Sequence, residues 1–348
     1  MPSIRPPFFR FKSIPPLSGG LTAALAATVL LLSCLAAPRA EAELVWSPLE
    51  GWQLVDPTPS EARKPRPAEA LELMNEARER QEDGRRITAL RRYRRVHRLY
   101  PDSVYAPEAL YQSALIRRER SQWNQAFQAL NTIVRRYPDY HRFGQVVGMQ
   151  FEIAVGVAEG ARFRLFWVLP GFRNMDRAVS MLDTVVANAP HSDYAPVALA
   201  YMAQVDKNRN RPEDAIDAYE RLINDYSDHL FAPDAYLGLA RAHAGMVTGP
   251  QYDQGATRQA IGYFEDFLIL YPQSPFADDA EEDLEEMRDM LARSKLIIGE
   301  FYHFRRANYV AARVFYNEAI TSSPTSPAAD EARARLETIE DLGDGPGA

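Results

Sequence analysis

The sequence predicts an all-α solenoid of about six helix-turn-helix units, and three observations predict it. A phrase of an aromatic residue, proline, polar residues and Ala-Pro recurs along the chain. It reads YPDSVYAPEAL at 100–110, and related copies stand at 137–147, 189–199, 226–236, 271–281 and 323–333. Apolar residues spaced by three and four surround each copy, as one face of a helix requires. Small and large residues also recur at set distances before each phrase.

Each phrase combines a helix stop with a helix start. Its proline cannot continue a helix, and Ala-Pro suits the first turn of the next one, where a missing N–H costs nothing. Ser103 and Ser192 are predicted to cap that next helix by accepting a backbone hydrogen bond. The phrase therefore predicts a joint between two helices rather than a binding motif.

The spacing of these joints predicts the type of repeat. Pro101 and Pro138 are 37 residues apart, close to the period of about 34 that is typical of tetratricopeptide repeats. Twelve residues before each stop the chain has an alanine: Ala89, Ala126, Ala178, Ala215, Ala260 and Ala312. Eight residues before each stop it has a large side chain: Tyr93, Leu130, Leu182, Tyr219, Phe264 and Tyr316. Paired helices that cross closely need this alternation.

The repeats divide the chain in order. Residues 43–66 contain two tryptophans and several prolines and are predicted to be an extended linker; the solenoid covers 67–342, and 343–348 is a disordered tail. Six units are expected over about 67–323, with a closing helix at about 327–340. Inserts are expected at 161–175 in the third unit and 244–256 in the fifth. Residues 277–306 predict an unusually long helix, because they contain no proline and one glycine.

The first 42 residues are predicted to be a secretion signal. Arg5, Arg10 and Lys12 precede an uncharged run that is shorter than a membrane span. Two processing sites remain open. Ala40-Glu41-Ala42 has the form of a signal peptidase site, whereas LLSC at 31–34 resembles a lipobox that would make Cys34 a lipid attachment residue. The second site predicts an outer-membrane anchor, and the first predicts a soluble periplasmic protein.

The residue types favour binding rather than catalysis. Cys34 is the single cysteine, the six histidines are scattered without ligand spacing, and no nucleotide-binding or nucleophile motif is present. We therefore expect no enzyme activity, no cofactor and no metal. Removal of residues 1–42 takes away four basic residues and one acidic residue, which changes the net charge from −7 to about −10. Such a charge gives no reason to expect a nucleic-acid partner.

Two groups of aromatic residues are candidates for binding. The insert at 161–175 includes Phe166, Trp167 and Phe172, which either fold onto a neighbouring repeat or form a partner or membrane contact. Tyr111, Tyr201 and Tyr236 are predicted to occupy one repeated position on the concave face. They either pack between repeats or line a groove for an extended peptide.

Charge is distributed unevenly along the chain. From Arg85 to Arg98 there are seven arginines and no acid, and from Asp278 to Asp289 there are eight acids and one arginine. Two interpretations remain open. The charges are solvated helix faces, or they give the solenoid a basic end and an acidic end that orient a partner.

Three segments resemble the BamD family of outer-membrane lipoproteins. They are the secretion signal with its lipobox, the third unit around FEIAVGVAEGARFRLFWVLPGFRNMDRAVSMLDTVVANAP, and ARSKLIIGEFYHFRRANYVAARVFYNEAI at 292–320. The last is the most specific, because it resembles the family's long late helix and the turn that follows it. The chain departs from the family by a sixth repeat, by an extra residue at that turn, and by a changed aromatic loop.

The resemblance implies a role and candidate residues. It implies that the late repeats bind the barrel-forming subunit of the outer-membrane assembly machinery, with Arg305 or Arg306 as the contact. It also implies that the early repeats receive unfolded outer-membrane proteins. The alternative is a periplasmic coordinator of cell-wall processes similar to CpoB, and a third is a scaffold for an unrelated secretion or surface structure. The expected location is the periplasmic face of the outer membrane.

Overall fold

The structure is a computed structural model. It describes residues 43–47, 49–55, 63–160, 164–165, 169–170, 175–251 and 254–340. The helices in this part of the chain are α1 (Ala68–Glu82), α2 (Arg86–Leu99), α3 (Tyr105–Glu119), α4 (Trp123–Arg136), α5 (Phe143–Glu159), α6 (Met175–Asn188), α7 (Tyr194–Asn208), α8 (Pro212–Asp225), α9 (Ala232–Met246), α10 (Gln254–Leu270), α11 (Ala277–Glu300), α12 (Tyr309–Ser322) and α13 (Pro327–Glu340). The strands are β1 (Glu43–Ser47), β2 (Gly51–Val55), β3 (Arg164–Leu165) and β4 (Leu169–Pro170).

Consecutive helices pair into six antiparallel hairpins, and α13 closes the stack against α11 and α12. The prediction of an all-α solenoid of six helix-turn-helix units is therefore confirmed. Each helix packs against its partner in the hairpin and against the next hairpin, so that the buried surface continues from one unit to the next. No single hairpin could bury its apolar face in this way.

The alanines and the large residues at the predicted distances are the core of these hairpins. All six alanines are at most 1% exposed, and all six large residues are at most 8% exposed. Their burial explains the repeated pattern. The alanine lets two helix backbones approach, and the large residue one turn later fills the space on the same side.

The aromatic residue before each stop has a structural reason of its own. The Tyr137 hydroxyl donates to the carbonyl of Pro101 at 2.6 Å, and the Tyr226 hydroxyl donates to the carbonyl of Pro190 at 2.7 Å. Each bond ties one joint to the joint of the preceding unit. The capping prediction was wrong for Ser103, whose hydroxyl instead donates 2.7 Å back to the carbonyl of Tyr100. Ser192 does the same with Ala189.

The segment predicted to be an extended linker begins with a β-hairpin, which differs from the prediction. Strands β1 and β2 pair antiparallel, and Gly51, the first residue of β2, has a φ of 71°. Trp52 is buried, and its indole N–H donates to the carbonyl of Met74 at 3.1 Å. Its backbone N–H donates to Asn75 Oδ1 at 2.9 Å. The hairpin thereby covers the outer side of α1, as the first repeat of a solenoid requires.

Of the two predicted inserts, only that of the fifth unit differs in size from the prediction. In the third unit, β3 and β4 pair antiparallel between α5 and α6. In the fifth unit, α9 continues to Met246 and α10 begins at Gln254, so that only a short connection separates them. The long late helix is confirmed, because α11 has 24 residues and continues into a five-residue π-helical turn, Phe301–Arg305.

Candidate partner-binding site at the sixth unit

The π-helical turn after α11 changes the direction of the chain where the sequence has an extra residue. A π-turn accommodates one more residue than an α-turn, because its hydrogen bonds reach one residue further. After Arg306 the chain returns through Ala307, whose φ of 50° lies in the left-handed region. Asn308 then caps α12 by accepting a hydrogen bond from the backbone N–H of Ala311 at 3.0 Å. The extra residue is thus absorbed without disturbing α12.

His303 attaches this turn to α12. It is 6% exposed, and its Nδ1 lies 3.1 Å from the hydroxyl of Tyr316. Burial raises the pKa of Tyr316 to about 12, so this hydroxyl keeps its proton. Burial also lowers the pKa of His303, and the charge of Arg335 lowers it further, so the ring is held neutral. The buried side of the turn is therefore anchored by one histidine and one tyrosine.

The opposite side of the turn exposes two aromatic rings. Phe301 is 45% exposed and Phe304 is 59% exposed. The guanidinium of Arg306 lies 5.4 Å from the centre of the Phe301 ring, and that of Arg335 lies 5.3 Å from the centre of the Phe304 ring. Aromatic residues, phenylalanine among them, and arginine are enriched in protein interfaces relative to the rest of the surface. We call Phe301, Phe304, Arg305 and Arg306 the π-turn surface.

A shallow pocket lies within the π-turn surface. It is lined by Ile297, Glu300, Phe301, Phe304 and Arg305. Glu300 is already engaged, because Arg335 binds its carboxylate at 3.1 Å. Arg305 and Arg306 are exposed, and neither forms an ion pair with another residue in the described part of the chain. The surface therefore offers apolar rings together with two free positive charges, which suits a partner segment with an apolar and an acidic side chain.

The structure brings together some of the predicted site residues and not others. Arg305 and Arg306 are adjacent and exposed in the π-turn surface. The sequence did not single out Phe301 and Phe304, since a π-turn breaks the spacing of three and four by which an exposed helix face is recognised. The predicted lipid attachment residue and the predicted aromatic contacts of the third unit lie outside the described residues: Cys34, Phe166, Trp167 and Phe172.

The three tyrosines do not share one repeated position, contrary to the prediction. Tyr111 is the seventh residue of α3, Tyr201 the eighth of α7 and Tyr236 the fifth of α9. One residue of difference rotates a side chain by about 100° around a helix. Tyr111 is only 8% exposed, whereas Tyr201 and Tyr236 are half-buried and contact Phe151 and Tyr271.

Tyr111 belongs to a buried polar network that joins the second and third units. The carboxylate of Glu108 accepts hydrogen bonds from Tyr140 Oη at 2.5 Å and from Gln112 Nε2 at 2.8 Å. Arg142 lies 3.8 Å from the same carboxylate and 5.6 Å from the Tyr111 ring centre. Burial and the carboxylate raise the pKa of Tyr140 well above its usual range. These contacts give Tyr111 a packing role.

Comparison with known proteins identifies related sequences. The family described as "Outer membrane lipoprotein" matches residues 173–343, and the tetratricopeptide repeat matches residues 108–140. The chain is a tetratricopeptide-repeat protein that is similar to the BamD family. The outer membrane protein assembly factor BamD of Xylella fastidiosa (strain Temecula1) is 28% identical over 162 residues, which cover 44% of this chain and 55% of the relative.

Other relatives agree with this similarity. The BamD of Caulobacter vibrioides is 25% identical over 163 residues, covering 47% of this chain and 53% of the relative. The chain thus matches about half the length of these relatives. A solved tetratricopeptide-repeat protein from Thermus thermophilus is 17% identical, with a TM-score of 0.28, and the match covers 63% of this chain and 98% of that protein. The π-turn surface lies inside the segment that matches the outer membrane lipoprotein family.

Among the described residues, no group of three or more histidines, cysteines, aspartates or glutamates is placed to hold a metal ion. None of the described helices combines the length and the apolarity that a bilayer crossing requires.

Proposed function

We propose that this protein is a non-catalytic scaffold subunit of an outer-membrane protein assembly machinery. In this proposal the π-turn surface binds the barrel-forming subunit of that machinery. The observation that carries the proposal is a pair of exposed arginines that form no ion pair with another described residue and lie beside two exposed rings, inside the segment that resembles the outer membrane lipoprotein family. A rigid hairpin stack suits this role, because it holds separate surfaces at constant distances.

The other contacts follow from the same proposal. Acylated Cys34 would tether the chain to the outer membrane at its periplasmic face. Unfolded outer-membrane proteins would bind the early repeats, and the half-buried Tyr201 and Tyr236 of the fourth and fifth units would extend this contact. Phe166, Trp167 and Phe172 of the third unit are proposed as a further contact. The roles of these residues are proposed from the sequence and from its resemblance to the BamD family.

The first experiment reverses the two charges of the π-turn surface. We expect Arg305→Glu with Arg306→Glu to abolish co-purification of the barrel-forming subunit from detergent-solubilised envelopes. The matched control is Lys207→Glu with Arg258→Glu, which reverses two exposed positive charges that form no ion pair with another described residue. Helical content, measured by circular dichroism, should be equal in both variants and the wild type.

Two outcomes would count against the proposal. Undiminished co-purification of the first variant would remove Arg305 and Arg306 from the interface, and equal loss in both variants would indicate a general charge effect. Mass spectrometry of the mature N-terminus tests the anchor separately. An acylated Cys34 supports the proposed location, whereas cleavage after Ala42 would favour the CpoB-like periplasmic coordinator.

A further inference from the structure

Helix α2 presents a row of arginines that the fold does not require. The helix contains no acidic residue. Arg91, Arg94, Arg95 and Arg98 follow the spacing of three, four and seven that places side chains on one helix face. All four are exposed, and none forms an ion pair with another described residue. The other basic residues of the helix are engaged, since Arg86 binds Glu119 and Arg92 binds Glu76. We call these four residues the arginine row.

The repeat itself provides the control for this observation. Counted from the buried alanine of each second helix, α4 has Gln128, Asn131, Thr132 and Arg135 at the same four positions. The later units have Ser180, Asp183, Thr184 and Ala187 in α6, Asp217, Glu220, Arg221 and Asn224 in α8, Gly262, Glu265, Asp266 and Ile269 in α10, and Val314, Asn317, Glu318 and Thr321 in α12. Packing therefore tolerates neutral and acidic side chains there.

Helix-end electrostatics explain only one member of the row. A cation in the last turn of a helix is stabilised by the helix dipole, which accounts for Arg98 and for Arg135 in α4. Arg91 lies in the middle of α2, where the dipole has little effect. Arg94 also lies near another positive charge, that of Arg117. Burial lowers the pKa of Arg117, and the charge of Arg94 lowers it further. Packing and helix-end electrostatics therefore give no reason for the row, and an anionic partner would reduce the repulsion between its charges.

Apolar side chains stand at both ends of the arginine row. Ile87, four residues before Arg91, is 50% exposed, and Leu99, four residues after Arg95, is 47% exposed. Basic residues close to an anionic membrane surface are attracted to it, and exposed aliphatic side chains beside them add apolar contact with the boundary between headgroups and acyl chains. A soluble acidic partner would explain the charge, but it gives no reason for the two aliphatic ends.

We propose that the arginine row docks the first unit flat against the anionic phospholipid headgroups of the membrane. Cys34, the candidate attachment residue, precedes α2 by about 50 residues, so a tether there would keep this unit nearest to the bilayer. One guanidinium group can donate two parallel hydrogen bonds to one phosphate group. Four arginines on one helix face therefore suit phosphate headgroups that lie in a plane. This inference rests on the proposed location at a membrane, but it does not depend on binding of the barrel-forming subunit.

The test measures binding to vesicles in the absence of any protein partner. The full chain is used with Cys34→Ala, so that every variant has the same unacylated N-terminus. The probes are phosphatidylcholine vesicles with and without about 30% phosphatidylglycerol. The variant Arg91→Gln, Arg94→Asn, Arg95→Thr introduces the side chains of α4 into α2. We expect its binding to the anionic vesicles to fall about 100-fold, because each basic residue near such a surface contributes about fivefold.

Two controls separate location from net charge and from folding. The variant Arg135→Gln, Lys207→Gln, Arg258→Gln loses three exposed positive charges in other units and should bind like the parent chain. The variant Arg91→Lys, Arg94→Lys, Arg95→Lys keeps the charges and should retain most of the binding, even if the first variant were less stable. Binding should also weaken steeply as salt is added.

The outcomes are distinguishable. Selective loss in the α4-like variant, with retention in both controls, would support the proposal. Equal loss of vesicle binding in the charge-matched control would show that only the net charge matters, and this result would overturn the proposal. If the parent chain showed no preference for anionic vesicles, the proposal would also be overturned, and an acidic protein would be the favoured partner of the arginine row. None of these results depends on whether Arg305 and Arg306 bind the barrel-forming subunit.

Discussion

The first and sixth units have the same interior and different exteriors. In the first unit, Ala89 and Tyr93 are fully buried between α1 and α2; in the sixth, Ala312 and Tyr316 are fully buried between α11 and α12. On the outside, α2 carries the arginine row, whereas the corresponding positions of α12 include Val314 and Glu318. The sixth unit has its exposed rings and free arginines in the π-turn instead.

This difference shows which positions are available for function. A residue that sits between paired helices is constrained by volume, so that the same pattern recurs in every unit. A residue on an outer face is not constrained by the fold, and so a deviation there needs another cause. The two surfaces also differ in design, since the arginine row is a charged, extended face and the π-turn surface is a compact pair of rings with two charges.

The largest expected effect tests whether the two interiors are equivalent. Tyr93→Ala and Tyr316→Ala should each lower the free energy of unfolding by about 3–5 kcal/mol, because each removes a fully buried ring. Each also leaves a polar partner, Gln81 or His303, without its hydrogen bond. Urea unfolding of both variants measures this. A loss under about 1 kcal/mol in either unit would mean that the two interiors are not equivalent.

A smaller effect tests the close approach of α11 to α12. A Cβ added at Gly299 would lie 2.6 Å from the ring of Tyr316, so Gly299→Ala should destabilise the protein by about 1–3 kcal/mol. Gly262 is the matched control, since it lies within α10 and a Cβ there meets no other atom within 4 Å. Gly262→Ala should stabilise the protein by about 0.5–1 kcal/mol. Thermal unfolding that showed the same sign for both would contradict the packing of the sixth unit.

The smallest expected effect concerns how far acid lowers the stability of the first and sixth units. Burial lowers the pKa of His97 in the first unit and of His303 in the sixth, aided by Arg136 and Arg335 respectively. The neutral ring is favoured in the folded state, so its contribution to stability is complete above a pH of about 6.5 and is lost as the pH falls below it. Glu300 opposes the shift in the pKa of His303.

Replacement of either histidine should therefore reduce the acid sensitivity of unfolding. His303→Gln should lose less stability than the wild type between a pH of about 7.5 and about 5. His97→Gln should behave in the same way, and chemical denaturation at each pH measures both. A variant whose stability fell more steeply than that of the wild type would show that the histidine is charged in the folded state.

The repeated interior could be predicted from the sequence, and the local departures could not. The six alanines and six large residues identify the hairpins, because volume at a helix crossing depends on side-chain size alone. The β-hairpin that contains Trp52 was not predicted. A tryptophan among prolines shows no periodic spacing that would indicate a hydrogen-bond partner such as Met74. The shared position of the tyrosines was wrong because Ala-Pro marks the start of a helix without setting how far each tyrosine lies along it.

The candidate sites, too, were predicted from the sequence only in part. Arg305 and Arg306 were predicted through the resemblance, and their exposure agrees with a contact role. Phe301 and Phe304 depend on a π-turn, whose hydrogen bonds produce no recognisable spacing in a sequence. The arginine row was visible as a run of charge, but its meaning needed two facts from the structure. These are which arginines lack an ion pair, and which positions of the other helices correspond to them.

The central claim is that the two ends of the solenoid bind different classes of partner. Site-specific photocrosslinking in growing cells tests it, with the crosslinking residue at position 304 in one strain and at position 94 in another. We expect a single protein adduct from position 304, with the mass of a barrel-forming envelope protein, and phospholipid adducts without that protein from position 94. The same protein adduct from both positions, or none from position 304, would contradict it.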